Sequence, residues 1–173
     1  ALGKTQQTLA AAAHMAKRIE GFKLWAFDLA TANPNDVCAY MPDDKTGMLQ
    51  VFPNGTLPNA YVTPDAKGIV HFDEPLNADP ATAKVFQKYI NGENISDKLR
   101  KPDGVICVLT SNRLWDKAGV MQQSRAFLSR VEQIEVYSDP AHNCKFMDGH
   151  GWYPTLVKFM EKFPHMIDTY DDV

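Results

Sequence analysis

The sequence predicts an α/β protein, built on a parallel sheet with helices covering both faces. Segments with strand character alternate with helix-forming segments along the chain. Several of the strand segments are continuous apolar runs rather than alternating ones, the pattern of strands buried on both faces. Polar clusters gather where those runs end.

Thr5 to Lys17 is rich in Ala, Gln and Leu, contains no Gly or Pro, and is expected to be helical, with Glu20-Gly21 ending it. "FKLWAFDLA" (Phe22 to Ala30) mixes aromatic and aliphatic residues over a strand's length. From Thr31 to Lys67 the text changes to repeated turn signals: Asn33-Pro34, Met41-Pro42-Asp43-Asp44, Pro53-Asn54-Gly55 and Leu57-Pro58. This reads as a loop-rich insertion in which "GMLQVFPNG" forms a short hairpin. "GIVHFDEP" (Gly68 to Pro75) is a short apolar strand ending in two acids. "DPATAKVFQKYING" follows as a helix, with Asp79 as N-cap, Pro80 at the first helical position and Gly92 near the C-cap. "GVICVLTSNR" (Gly104 to Arg113) is a second continuous apolar strand that turns polar at its carboxyl end. "DKAGVMQQSRAFLSR" is expected to be helical in its second half, "VEQIEVYSD" to be a final strand, and "YPTLVKFMEKFPHMI" a helix, or two around Pro164.

Length and composition narrow the function classes. The 173 residues suit one domain with a sizeable core, and the 45% apolar and 23% charged fractions are those of an ordinary soluble protein. A net charge of −3 gives no overall basic footprint for nucleic acid. No apolar run is long enough to span a bilayer, and the first residues do not read as a signal peptide. Cys38, Cys107 and Cys144 are widely spaced, which argues for reduced thiols and a cytoplasmic setting.

In an open α/β sheet, ligands bind outside the carboxyl ends of the strands. Three polar clusters are expected at that edge: Gly3-Lys4-Thr5 before a helix, Asp73-Glu74 after one strand, and Ser111-Asn112-Arg113 after another. Gly3-Lys4-Thr5 matches the back half of G-x-x-x-x-G-K-[ST], whose first glycine would precede Ala1. It also fits an ordinary helix start with Thr5 near the N-cap. Together the clusters supply what hydrolysis of a nucleoside triphosphate needs. A helix terminus and a lysine cradle phosphates, and a hydroxyl and a carboxylate (Thr5, Asp73) hold Mg²⁺. A second carboxylate (Glu74) polarises water, and an amide (Asn112) orients it.

With these residues in this order, the chain resembles the ATPase core of the AAA+ superfamily, and within it the MoxR-like group, related to McrB-type proteins. The resemblance is carried by "LGKT" (Walker A), "GIVHFDEP" (Walker B), "KPDGVICVLTSNRLWDKAGV" (sensor 1) and "SRAFLSRVEQIEV" (arginine finger region). It covers nearly the whole chain, including the insertion before the Walker B strand and the segment after the finger. It implies a P-loop NTPase three-layer sandwich and ATP hydrolysis with Mg²⁺ in a homo-oligomeric ring, a hexamer, acting on a protein client or partner subunit. It implies a large α/β subdomain over residues 1–140, carrying the insertion at 31–67, and a post-finger segment over 141–173. By position, Gly3, Lys4 and Thr5 would bind nucleotide, with Lys4 on the β- and γ-phosphates. Thr5 and Asp73 would hold the metal, Glu74 would be the base and Asn112 sensor 1. Arg130 would be the finger that reaches a neighbouring subunit, with Arg125 as the alternative.

The sequence departs from that pattern in places. It starts inside the Walker A motif, so the central strand and the C-terminal lid are expected to be missing, as in a piece of a longer protein. His71 interrupts the aliphatic Walker B strand, and Pro75 follows the two acids. A superfamily 3-like helicase and a non-hydrolysing interaction subunit are the competing readings. A nucleic-acid motor is not favoured, because the insertion offers Lys45 and Lys67 against Asp36, Asp43, Asp44 and Asp65. "HNCKFMDGH" holds His142, Cys144, Asp148 and His150 but matches no common zinc spacing, and is expected to be a polar loop. Trp25, Phe27, Phe86 and Phe159 are expected in the core, and Trp115, Trp152 and Tyr153 against the sheet. Met41, Met48 and Phe52 stand apart, in a segment with little core of its own, as candidates for a partner surface or a pore.

Overall fold

A computed structural model of the chain describes residues 3–112, 129–136 and 139–164, with Phe52 described by its backbone alone. It is a mixed α/β structure that falls into two compact units, Gly3–Glu132 and Gln133–Val173.

The first unit holds a parallel sheet of three strands: β1 (Phe22–Asp28), β4 (Lys67–Asp73) and β5 (Val105–Thr110), with β4 in the middle. Parallel strands need crossovers, and here they are the insertion between β1 and β4 and helix α2 (Pro80–Ile90) between β4 and β5. A parallel sheet with a helical crossover between β4 and β5 is consistent with a P-loop NTPase-like fold. The register sets Asp28 beside Asp73 and Asp73 beside Thr110, so all three strands end level.

Side chains alternate across a strand, which gives β4 two different faces. Val70 and Phe72 enter the apolar core, where Phe72 meets Phe86 edge-on at 5.2 Å and Tyr89 at 6.4 Å. Ile69, His71 and Asp73 face the other way, the side on which Thr5 of helix α1 (Lys4–Ala16) reaches Asp73. Helix α2 starts as its sequence dictates: Asp79 accepts the backbone N–H groups of Ala81 and Thr82, and Pro80 fills the first position, where no N–H is needed. The Thr82 hydroxyl, which donates to Asp79 Oδ2 at 2.6 Å, lowers the Asp79 pKa most, and the two backbone bonds add to the shift.

The insertion is better anchored than its turn-rich text implies. Val37, Cys38 and Leu57 join the main core, and the buried Tyr89 hydroxyl donates to the Pro58 carbonyl at 2.7 Å. Asn59, also buried, donates to Lys98 O and accepts from Tyr61 N. The expected hairpin exists but is wider than "GMLQVFPNG". That stretch supplies one arm, β3 (Leu49–Pro53), which pairs antiparallel with β2 (Cys38–Pro42). Its tip exposes Met41 and Met48; the Phe52 side chain lies outside the described residues.

Three further expectations need correction. Residues 131–136 of "VEQIEVYSD" form no strand, and Ile134 is 79% exposed; among the described residues no strand pairs with them, and an unpaired segment cannot satisfy its backbone as a strand does. "HNCKFMDGH" is not a loop but most of helix α3 (Pro140–Gly149), capped by Asp139, with Cys144 and Met147 buried. Helix α4 (Pro154–Lys162) meets those two residues through Val157 and Met160. That single apolar stripe leaves Phe159 half-exposed and Trp152 and Tyr153 exposed, rather than in a core. Trp115 and residues 116–128 of "DKAGVMQQSRAFLSR", most of the expected helix, lie outside the described residues, and Ser129 and Arg130 form a turn.

Close strand approach makes Gly68 irreplaceable. A Cβ there would sit 2.0 Å from the Lys23 carbonyl oxygen and 2.7 Å from the Trp25 ring. Gly68→Ala should therefore destabilise the protein by roughly 1–3 kcal/mol, read as a fall of several degrees in thermal melting. Gly149, at the end of α3, has open space around it. Gly149→Ala should be neutral, or stabilising by up to about 1 kcal/mol. Equal melting of the two variants would contradict this account.

Candidate functional site

The site forms at the carboxyl edge of the sheet, where α1 begins. Gly3 takes a left-handed conformation (φ 69°) as N-cap and provides no side-chain cap, and the first turn of α1 contains no acid. The first N–H groups of a helix have no partner within it, so this end carries an uncompensated positive dipole.

Two linked sets of side chains meet here. In the first, Thr5 Oγ1 donates to Asp73 Oδ2 at 2.8 Å, and Thr110 Oγ1 donates to Asp73 Oδ1 at 2.6 Å. His71 Nε2 lies 2.8 Å from the same Thr110 hydroxyl. In the second, Lys4 Nζ donates to Asn112 Oδ1 at 3.4 Å, and Asn112 Nδ2 donates to Glu74 Oε1 at 3.1 Å. Ser111 Oγ and Asn77 Nδ2 both donate to Glu74 Oε2, each at 3.3 Å. The structure thus brings together Lys4, Thr5, Asp73, Glu74 and Asn112, with Gly3 at the start of the same helix. Arg130 is exposed, and among the described residues no hydrogen bond joins it to this cluster. Arg125 and Arg113 lie outside the described residues.

Two neighbouring carboxylates at a strand end would ordinarily point to opposite faces. The backbone resolves this at Glu74, which adopts φ 51°, ψ 44°, the left-handed state among the described non-glycine residues. That state costs about 1–3 kcal/mol, and the three donors on its carboxylate offset the cost. Pro75 also disfavours the right-handed helical conformation for the residue before it. The backbone is tied as well: Glu74 N donates to Thr110 O at 2.8 Å, and Asn77 N to Glu74 O at 3.0 Å.

Burial works against ionisation of Asp73, but the hydrogen bonds from Thr110 and Thr5, the adjacent His71 and the Glu74 amide outweigh it and hold its pKa below the ordinary value. Asp73 is therefore an anion and accepts at both oxygens. His71 is 1% exposed. Burial lowers its pKa and the Asp73 charge partly opposes that shift. Thr5 and Asp73 bring hard oxygen donors to one point, the ligand type that Mg²⁺ takes.

Sequence reasoning missed Thr110 and Asn77 and left His71 as an irregularity. Thr110 had a signal: it is the last residue of its apolar run, as Asp73 is of its own, so parallel register would set the two side by side. Asn77 had none, because its contact depends on the turn made at Glu74.

No protein-family model matches this chain, and no curated protein matches it. Solved structures do show similarity. One is the crystal structure of a candidate ATPase from Cytophaga hutchinsonii, at 16% identity and a TM-score of 0.48. The similarity covers 84% of this chain and 42% of that one, so this chain spans less than half of the length of the protein it resembles.

Proposed function

We propose that this chain is the ATP-binding and hydrolysing core of a MoxR-like AAA+ protein, working with Mg²⁺ in a cytoplasmic homo-oligomeric ring on a protein client. One observation carries the reading. Lys4, Thr5, Asp73, Glu74 and Asn112 are joined by hydrogen bonds at the start of an uncapped helix and the carboxyl edge of a parallel sheet. Among the described residues no helix is long and apolar enough to cross a membrane.

Each residue's role follows from its chemistry. The N-terminal turn of α1 and the Lys4 ammonium offer positive charge to phosphate oxygens. Thr5 and Asp73 are the residues that would hold Mg²⁺, which when bound neutralises charge on the phosphates. Glu74 takes a proton from the attacking water, and the hydrogen bonds from Asn112, Ser111 and Asn77 fix its carboxylate. Asn112 contacts both Lys4 and Glu74, so it links the phosphate-binding side to the base. Arg130, exposed and outside the cluster, is free to serve a neighbouring subunit's site, where a guanidinium stabilises transition-state charge.

Glu74→Gln should abolish turnover while ATP binding persists, since the amide fills the same space but cannot accept the proton. Lys4→Ala should weaken binding itself. Calorimetric titration beside a phosphate-release assay separates these effects; loss of binding in Glu74→Gln would assign that residue a structural role.

Arg130→Ala should bind ATP yet lose about 10³-fold or more in hydrolysis. Mixed with Glu74→Gln under proven subunit exchange, it should regain activity, because an intact Glu74 can then face an intact Arg130. Exchange without recovery would mean either that Arg130 is not the finger or that the ring needs several active sites firing in concert, and Arg125→Ala in the same mixture separates the two.

A further inference from the structure

His71 occupies the middle of a strand whose neighbouring positions, Val70 and Phe72, are fully buried and apolar. Burying an imidazole there is costly unless its polar atoms are used. The sheet register explains how one is. Asp73 lies beside Thr110, and His71 precedes Asp73 by two residues on the same face, so the three side chains converge.

The hydrogen-bond roles follow from counting protons. The Asp73 carboxylate only accepts, and the Thr110 hydroxyl has one proton, which it gives to Asp73 Oδ1. Thr110 Oγ1 must then accept from His71, which fixes the proton on Nε2. The 2.6 Å Thr110–Asp73 distance is that of a charge-assisted O–H···O⁻ bond. Without His71, the Thr110 hydroxyl could rotate to a backbone carbonyl, as threonine hydroxyls do. The other carboxylate oxygen is held by Thr5, which on the reading above is itself a ligand of the cation. Among the described residues, the Thr110 bond is thus the side-chain hydrogen bond to Asp73 that does not come from a cation ligand.

We propose that His71, acting through the Thr110 hydroxyl, is a positioning residue that orients the Asp73 carboxylate toward the divalent cation bound with nucleotide. The inference rests on the nucleotide-binding reading and adds to it an outer layer of support for the metal site. Outer partners of metal-ligating carboxylates typically contribute about 10–100-fold to metal affinity.

The test compares the full chain with His71→Phe, His71→Gln and Thr110→Val, titrating ADP calorimetrically in Mg²⁺ and again in EDTA. In the unaltered chain Mg²⁺ should tighten binding. His71→Phe should lose about tenfold or more of that tightening while binding in EDTA stays unchanged. His71→Gln, which keeps an N–H donor, should recover most of it. Thr110→Val should reproduce His71→Phe, and the double variant should be no worse than either alone. If His71→Phe fails to fold by circular dichroism, Thr110→Val carries the same comparison. Equal weakening in both buffers would mean a merely structural role and would overturn the proposal, as would undiminished Mg²⁺ dependence. If Mg²⁺ does not tighten binding in the unaltered chain, the nucleotide-site reading fails and takes this inference with it. A normal unaltered chain with normal variants sinks the inference alone.

Discussion

The parallel pairing of β4 between β1 and β5 is the constraint on which the rest of the site depends. It aligns Asp28, Asp73 and Thr110 across three strands and so sets Asp73 beside a hydroxyl it can accept from. Side chains alternate with a period of two, so a one-residue slip of β4 would send Asp73 to the apolar face and expose Phe72. The core opposes that slip. Phe72 is enclosed by Phe27, Phe86 and Tyr89, and full burial of such a side chain contributes about 1.5–3 kcal/mol. The apolar face of the strand thereby fixes the polar one.

The two acids at the end of β4 divide their tasks because their backbones differ. Asp73 keeps strand geometry and stays against α1, where Thr5 and Thr110 occupy its two oxygens. Glu74 turns left-handed and passes its carboxylate to Asn112, Ser111 and Asn77. Adjacent like charges repel, and sending them to separate sets of donors reduces that repulsion. Pro75 is then no irregularity, since the residue before a proline avoids the right-handed helical region.

The insertion shows how a turn-rich segment whose regular structure is little more than one short hairpin becomes part of a core. Val37 and Leu57 bury their side chains, while the Tyr89 hydroxyl and Asn59 satisfy backbone groups that would otherwise be buried unpaired. What it leaves outside is the tip of the β2–β3 hairpin, where Met41, Met48 and Leu49 are exposed.

By itself, the sequence determined the elements whose signals are local. The Ala-rich run made α1, Asp79-Pro80 started α2, and the continuous apolar runs announced β4 and β5, of which β4 is buried on both faces whereas β5 leaves Ile106 62% exposed. It also marked Lys4, Thr5, Asp73, Glu74 and Asn112, because chemistry-bearing residues at element ends are visible as text. It could not reveal what depends on register and backbone twist. The apolar residues of 131–136 resembled a strand, yet a strand exists only with a partner, and pairing is not local. The other arm of the hairpin, the left-handed turn at Glu74, the Asn77 contact and the His71–Thr110–Asp73 chain were likewise decided by the tertiary structure. These contacts join residues up to 39 apart in sequence, and only the folded sheet sets the distance between them.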